Sequence, residues 1–187
     1  MKTKFLLLLG VSGAGKSSII NSLREIDYRY KYISPFVTRE LRNGEKDKVF
    51  VSEATLDKMV AEGSILVVNS LYNVRYATPK KPILSAFKTG FFPLLDWPID
   101  KLKVMTDTFG DDIFTVYLYP SDVATLKSRL QDGRDPQNLR LKAGQDELNS
   151  FRLGKYNQKI DFSIESSGSP EQLAQIIHKK YLSSLDN

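Results

Sequence analysis

The residues best suited to chemistry are Gly10-Val11-Ser12-Gly13-Ala14-Gly15-Lys16-Ser17, which fill every fixed position of the phosphate-loop pattern G-x-x-x-x-G-K-[ST]. They follow directly on the apolar run Phe5-Leu6-Leu7-Leu8-Leu9, the strand that such a loop needs before it. Glycines at 10, 13 and 15 free the backbone to wrap so that successive N–H groups point at phosphate oxygens, at a helix N-terminus that already favours negative charge. Lys16 would reach the β- and γ-phosphates, and the Ser17 hydroxyl would meet the Mg²⁺ that bridges them. Ser12, Ala14 and Ser18 complete the expected nucleotide-binding set. The predicted cofactors are therefore ATP and Mg²⁺.

A second group of chemically useful residues opens at Thr38-Arg39-Glu40-Leu41-Arg42-Asn43-Gly44-Glu45. Two guanidiniums three residues apart, on a turn set by Gly44, can clamp one phosphate with bidentate hydrogen bonds that lysine cannot reproduce. The competing reading is a solvated charge cluster.

These groups need a scaffold, and the chain offers one. Strands alternate with helices, the signature of a parallel sheet covered on both faces. Strands are predicted at Lys4–Leu9, Tyr32–Val37, Phe91–Leu95, Ile113–Tyr119 and Ile160–Glu165. Helices are predicted at Lys16–Glu25, Ile99–Thr108, Asp122–Gln131, Asn138–Tyr156 and Pro170–Leu185, with Ser121 and Ser169 as N-caps and Pro170 at a first helical position. Between Arg39 and Thr78 the pattern changes to short segments: Val49–Val51, a helix capped by Ser52 and ended by Gly63, then Ile65–Ser70 and Tyr72–Tyr76 as a hairpin around Leu71. The expected fold is an α/β phosphate-loop (P-loop) NTPase fold, a five-stranded parallel sheet flanked by helices. Residues 1–38 and 79–187 would form the core, with a lid at about 131–140. Residues 39–78 would form an inserted small mixed α+β lobe that binds the phosphoryl acceptor.

Composition agrees and excludes several classes. The 187 residues are 41% hydrophobic and 26% charged, enough for one compact core with an inserted lobe. There is no cysteine, hence no disulfide, cysteine nucleophile or thiolate metal site. The net charge of +5 comes without a Lys/Arg run or aromatic-basic interleaving, so anionic small molecules are expected as partners and nucleic acid is not. Met1 to Val11 mimics a secretory signal, yet cleavage near Ala14 would destroy a complete phosphate loop. No other stretch approaches the roughly 18 apolar residues of a membrane span. A cytoplasmic protein, monomer or homodimer, is expected. The single histidine, His178, is assigned no role.

Taken in order, these segments resemble the guanylate kinase family, whose acceptor loop carries T-R-x-x-R-x-G-E. Phe50-Val51-Ser52 is similar to the family's F-V-S, Tyr76-Ala77-Thr78 falls where it has Y-G-[ST], Leu94-Leu95-Asp96 stands at its strand-end aspartate, and Arg129, Arg134 and Arg140 lie in its lid region. The resemblance implies that Arg39, Arg42 and Tyr76 hold the acceptor phosphate and that Asp96 supports Mg²⁺, with Asp100 as the alternative. It also implies that Arg134 and Arg140, together with Lys16 and Arg39, serve the transfer, and that Arg129 faces the nucleotide. Thr78 and Asn69 would contact the acceptor.

The departures concern the acceptor. Val67 stands where the family places a glutamate that reads guanine, Lys48 where it has a phosphate-binding tyrosine, Pro35 near a serine, and Pro98 at a second aspartate. Three readings follow: ATP-dependent phosphorylation of a nucleoside monophosphate, GMP first; phosphorylation of a phosphorylated sugar such as ribose 1,5-bisphosphate; or a catalytically silent binding module.

Overall fold

The computed structural model describes residues 3–71, 73–131, 138–156 and 160–186. Its elements run β1 (Phe5–Leu9), α1 (Lys16–Ile26), β2 (Tyr30–Tyr32), β3 (Phe36–Val37), β4 (Val49–Phe50), α2 (Glu53–Ala61), β5 (Ile65–Leu71) and β6 (Val74–Pro79). There follow α3 (Lys80–Lys88), β7 (Phe92–Asp96), a 3-10 turn at Ile99–Lys101, α4 (Leu102–Phe109), β8 (Ile113–Tyr119), α5 (Val123–Arg129), α6 (Leu139–Arg152), β9 (Phe162–Glu165) and α7 (Pro170–Leu185).

An apolar run without alternation belongs in a parallel strand covered on both faces. β1 is that strand: all five side chains are buried, and it is the middle strand of a five-stranded sheet ordered β2-β7-β1-β8-β9, parallel throughout. Leu6 and Leu8 point into a core closed by α1 and α7 through Ile19, Leu23, Leu173 and Ile177. Phe5, Leu7 and Leu9 point the other way, against Ile83, Leu102 and Met105 of α3 and α4. Each such side chain contributes about 1.5–3 kcal/mol of burial free energy, so this one strand anchors both layers.

Pro93 sits in β7, an interior strand, where a missing N–H ought to orphan a carbonyl. The Trp97 amide donates to the Leu8 carbonyl at 2.9 Å. Stepping that bond back four residues on each strand aims the missing Pro93 N–H at the Lys4 carbonyl, which instead accepts the Tyr181 hydroxyl at 2.6 Å. A side chain from α7 thus replaces the ladder bond that proline cannot make.

The second sheet has four strands ordered β4-β3-β6-β5, with β3 and β4 parallel and the other pairs antiparallel. One face packs on α2 through Leu56, Ile65, Ala77 and Val68. Ser52 caps α2 by accepting the Thr55 amide at 3.1 Å, and Gly63 follows its end with φ +68°.

Several expectations need correction. The strand expected at Tyr32–Val37 is two strands in different sheets: β2 ends at Tyr32, the chain turns through Pro35, and β3 joins the small sheet. Asp122, not Ser121, caps α5, because its carboxylate accepts the Thr125 amide at 2.6 Å. The hairpin does not turn at Leu71, which still pairs with Val74; Asn73, at φ +62°, takes the left-handed position. α3 was not anticipated at all, and α6 stops at Arg152, short of Tyr156, where Gly154 adopts φ +73°. Ser169 and Pro170 open α7 as expected, in a capping box with Gln172.

Candidate active site

The turn from β1 into α1 is built for an anion. Gly10, Gly13 and Gly15 have φ of +130°, +86° and +96°, a region that side chains rarely enter. At Gly10 the constraint is also spatial: a Cβ would lie 2.1 Å from the Leu118 carbonyl oxygen, because the loop rests on the end of β8. Gly15 caps α1 without any side-chain hydrogen bond, and the first turn carries no acidic residue, so its N–H groups are left for an external acceptor. Ser17 and Ser18 stand exposed on that first turn. The Lys16 ammonium donates to the carbonyls of Gly10 at 2.6 Å and Val11 at 3.1 Å. Burial lowers its pKa, opposed by the carboxylates of Asp96 and Glu147 and aided by Arg140.

A cavity of about 620 Å³ brings Lys16 together with most of the other expected residues. It is lined by Gly10, Ser12 and Lys16 from the loop, Arg39 and Arg42 from the segment after β3, Asn69, Tyr76 and Thr78 from the small sheet, Asp96 from β7, and Arg140 from α6. Asp96 ends β7 beside Leu8, and its carboxylate accepts the Tyr32 hydroxyl at 2.7 Å. Burial, then the Asp96 charge, pushes the Tyr32 phenol well up, so it stays a donor. Asp100 also lines the cavity, within 3.8 Å of Lys101.

Arg39 is held in a fork. Its two terminal nitrogens donate to the Glu45 carboxylate at 2.7 and 2.8 Å, and Glu45 also accepts the Arg42 amide at 3.1 Å. These bonds, with Arg39 foremost, lower the Glu45 pKa to about 2. Arg39 Nε is buried and has no partner among the described residues. The Gly44 turn, at φ +75°, closes this small structure, so the T-R-x-x-R-x-G-E string is itself a folded clamp.

α6 presents Arg140, Ala143, Gly144 and Glu147 along one side of the helix, all on the cavity. Arg140 donates from Nε to Ser12 Oγ at 3.1 Å and from Nη2 to the same oxygen, docking α6 on the phosphate loop. Gly144 permits the approach, since a Cβ there would meet Leu126 at 3.0 Å and Val11 at 3.6 Å.

Several expected residues do not line this cavity. Arg129 is not on the cavity wall; it donates to the Ser166 hydroxyl at 2.8 Å and carbonyl at 2.7 Å, tying the end of α5 to the segment after β9. Ser17 and Ser18 are exposed on the first turn of α1, directly after Lys16. Arg134 lies outside the described residues. Conversely, the structure adds Glu147, Trp97 and Lys48 to the cavity lining. Glu147 accepts the Tyr117 hydroxyl at 2.9 Å, and burial raises its pKa against the pull of that bond and of Lys16. Its only sequence signal is its place seven residues after Arg140, on the same helix side.

Among the described residues no three histidine, aspartate or glutamate side chains cluster as a metal site. The donor set nevertheless suits a hard cation carried in by phosphates: a serine hydroxyl and one carboxylate beside an anion cradle.

A phosphate cradle on a parallel α/β core, facing an arginine clamp on an inserted sheet, defines a P-loop phosphotransferase. The guanylate kinase family model matches residues 2–177. The chain is 30% identical over 145 residues to the guanylate kinase of Carboxydothermus hydrogenoformans, covering 75% of this chain and 71% of that one. It is 26% identical over 191 residues to that of Gluconobacter oxydans, covering 97% and 92%. Its structure matches the crystal structure of guanylate kinase from Anaplasma phagocytophilum with a TM-score of 0.79 at 19% identity, covering 99% and 87%. The chain belongs to the guanylate kinase family.

Proposed function

We propose that this protein transfers the γ-phosphoryl group of ATP to a nucleoside monophosphate, GMP included, giving ADP and the diphosphate. The observation that carries this reading is the single cavity shared by the Lys16 phosphate loop and the Arg39/Arg42 clamp, which can hold a donor and an acceptor phosphate together. Phosphoryl transfer asks little covalent chemistry of a protein and depends on positioning and charge.

In this reading the loop amides and Lys16 hold the donor phosphates. Arg39, Arg42 and Tyr76 hold the acceptor phosphate, while Arg140 neutralises charge on the group in flight. Arg134, in the lid at about 131–140, would join it. Residues 39–78 would serve as the acceptor lobe and residues 1–38 and 79–187 as the core. Mg²⁺, held through Ser17 and Asp96, would neutralise the phosphate oxygens. Asp96 is favoured over Asp100 because its carboxylate is oriented by Tyr32 beside Lys16, whereas Asp100 is 69% exposed. The intact Lys16 and Ser17 argue against a silent module.

A coupled ADP-release assay with ATP and GMP tests the proposal. Turnover should require Mg²⁺ and should fall about 10³-fold in Lys16→Ala, the scale on which loss of one charge-stabilising donor acts. A Lys16→Ala protein that turns over at the parent rate would overturn it.

A further inference from the structure

Trp97 is the single tryptophan of the chain and follows directly on Asp96, the end of β7. Its backbone is pinned, because its amide donates to the Leu8 carbonyl at 2.9 Å. Its side chain is 3% exposed and belongs to the apolar cluster of Leu9, Ile33, Leu95 and Ile99, against which Val67 of the small sheet packs. The same residue lines the cavity. An indole Nε1–H can only donate, and a buried one ordinarily finds an acceptor. Trp97 Nε1 is buried and has no partner among the described residues. Stranding a buried donor is costly, and a phenylalanine would fill an apolar cluster without that cost. Arg39 Nε, on the acceptor clamp that lines the same cavity, is in the same condition.

Resting on the kinase reading above, we propose that Trp97 contacts the substrate: its indole N–H donates a hydrogen bond to an oxygen or nitrogen on the body of the acceptor, the part that the Arg39/Arg42 clamp does not hold. A clamp on the phosphate alone leaves the rest of the acceptor free to swivel. A second, directional anchor on the rigid core, one residue from Asp96, fixes its orientation for transfer. Because Nε1 is shut off from water, the bond forms in a dry site, where a neutral hydrogen bond is strongest. Reaching it takes a turn of the indole about its own side-chain bonds or a shift of the small sheet at Val67. Acceptor binding must therefore change the surroundings of the ring.

The test begins with tryptophan emission, which in this chain reports position 97 alone. GMP added to the unaltered protein should change the emission saturably; no response at saturating GMP would overturn the inference. Placing β-(3-benzothienyl)alanine at position 97 then keeps the shape of the ring and puts sulfur where the N–H stood. In that protein, and in Trp97→Phe, the KM of GMP should rise about tenfold or more, the scale of one hydrogen bond lost from a dry site, while the KM of ATP stays within about threefold. Ribose 5-phosphate as a competitor locates the bonded atom. Affinity lost for GMP but kept for ribose 5-phosphate places it on the base, and an equal loss places it on the sugar. An unchanged KM for GMP in the folded benzothienyl protein would overturn the inference and leave the kinase reading intact. A joint rise in both KM values would make Trp97 a packing residue and overturn it as well. Absence of transfer to GMP in the unaltered protein, with ATP still bound, would remove the kinase reading and this inference with it.

Discussion

Arg42 and Arg39 differ in how much freedom the fold leaves them. Arg39 is fixed by Glu45 through two hydrogen bonds, whereas among the described residues Arg42 bonds Glu45 through its backbone amide, and its side chain lines the cavity. Arg42→Lys should therefore raise the KM of the acceptor about 10- to 100-fold, through loss of bidentate geometry, and leave the KM of ATP within about threefold. Steady-state kinetics with each substrate varied in turn will check this; an equal loss in both would merge the two sites. Glu147 calls for a different measurement. Glu147→Gln keeps an acceptor for the Tyr117 hydroxyl but removes a negative charge beside Lys16, so kcat should fall roughly tenfold with little change in thermal stability. A change in melting temperature without a change in kcat would make Glu147 a packing residue only. At this scale the sequence was most legible where chemistry is contiguous: the loop and the Arg39–Glu45 clamp can be recognised from spacing because each folds on itself. Glu147, Tyr117 and Tyr32 were not legible, since Tyr117 reaches Glu147 and Tyr32 reaches Asp96 only after the sheet has ordered β2, β7, β1 and β8 side by side.

The elements show why that ordering is demanding. The phosphate loop rests its first glycine on the end of β8, at the Leu118 carbonyl, leaving no space for a side chain between them. Gly10→Ala combines a disfavoured φ with a backbone clash, and neither can relax without moving β8. It should cost about 3 kcal/mol or more, read from urea denaturation, and nucleotide binding should weaken with it. A folded Gly10→Ala protein with unchanged midpoint would contradict the loop conformation. Strand periodicity located β1, β7 and β8 because continuous burial leaves an apolar run. It failed between Tyr32 and Val37 because both halves are extended and only their hydrogen-bonding partners differ. It failed again at α3, where Lys80, Lys81 and Pro82 conceal a helix that buries only Ile83 and Ala86.

For the whole molecule, the titrating groups set a stability profile that leans against acid. Glu45 has its pKa lowered to about 2 from an ordinary 4.5, so the unfolded chain binds the proton more readily. Its contribution is complete above pH 4.5 and disappears as pH falls toward 2. His178, whose Nδ1 meets the Tyr30 hydroxyl at 3.0 Å, is lowered from 6.5 by burial, and its contribution likewise fades as pH falls below 6.5. Glu147 works the other way: its raised pKa disfavours the fold as pH rises above 4.5, and acid relieves this. Thermal unfolding followed across pH should show the loss between pH 4.5 and about 2 become shallower in Glu45→Gln; an unchanged slope would remove Glu45 from the account.

β1 holds the centre of the main sheet, yet both of its partners, β7 and β8, come far later along the chain. During synthesis Phe5-Leu6-Leu7-Leu8-Leu9 must leave the ribosome as an unpaired apolar ribbon and wait, with two open edges, until residues through Tyr119 have emerged. Lys4 waits longer still, for Tyr181. The strand that makes the phosphate loop possible is thus also the segment that a nascent chain can least leave unattended, the natural point for a chaperone to engage and for a stalled chain to aggregate.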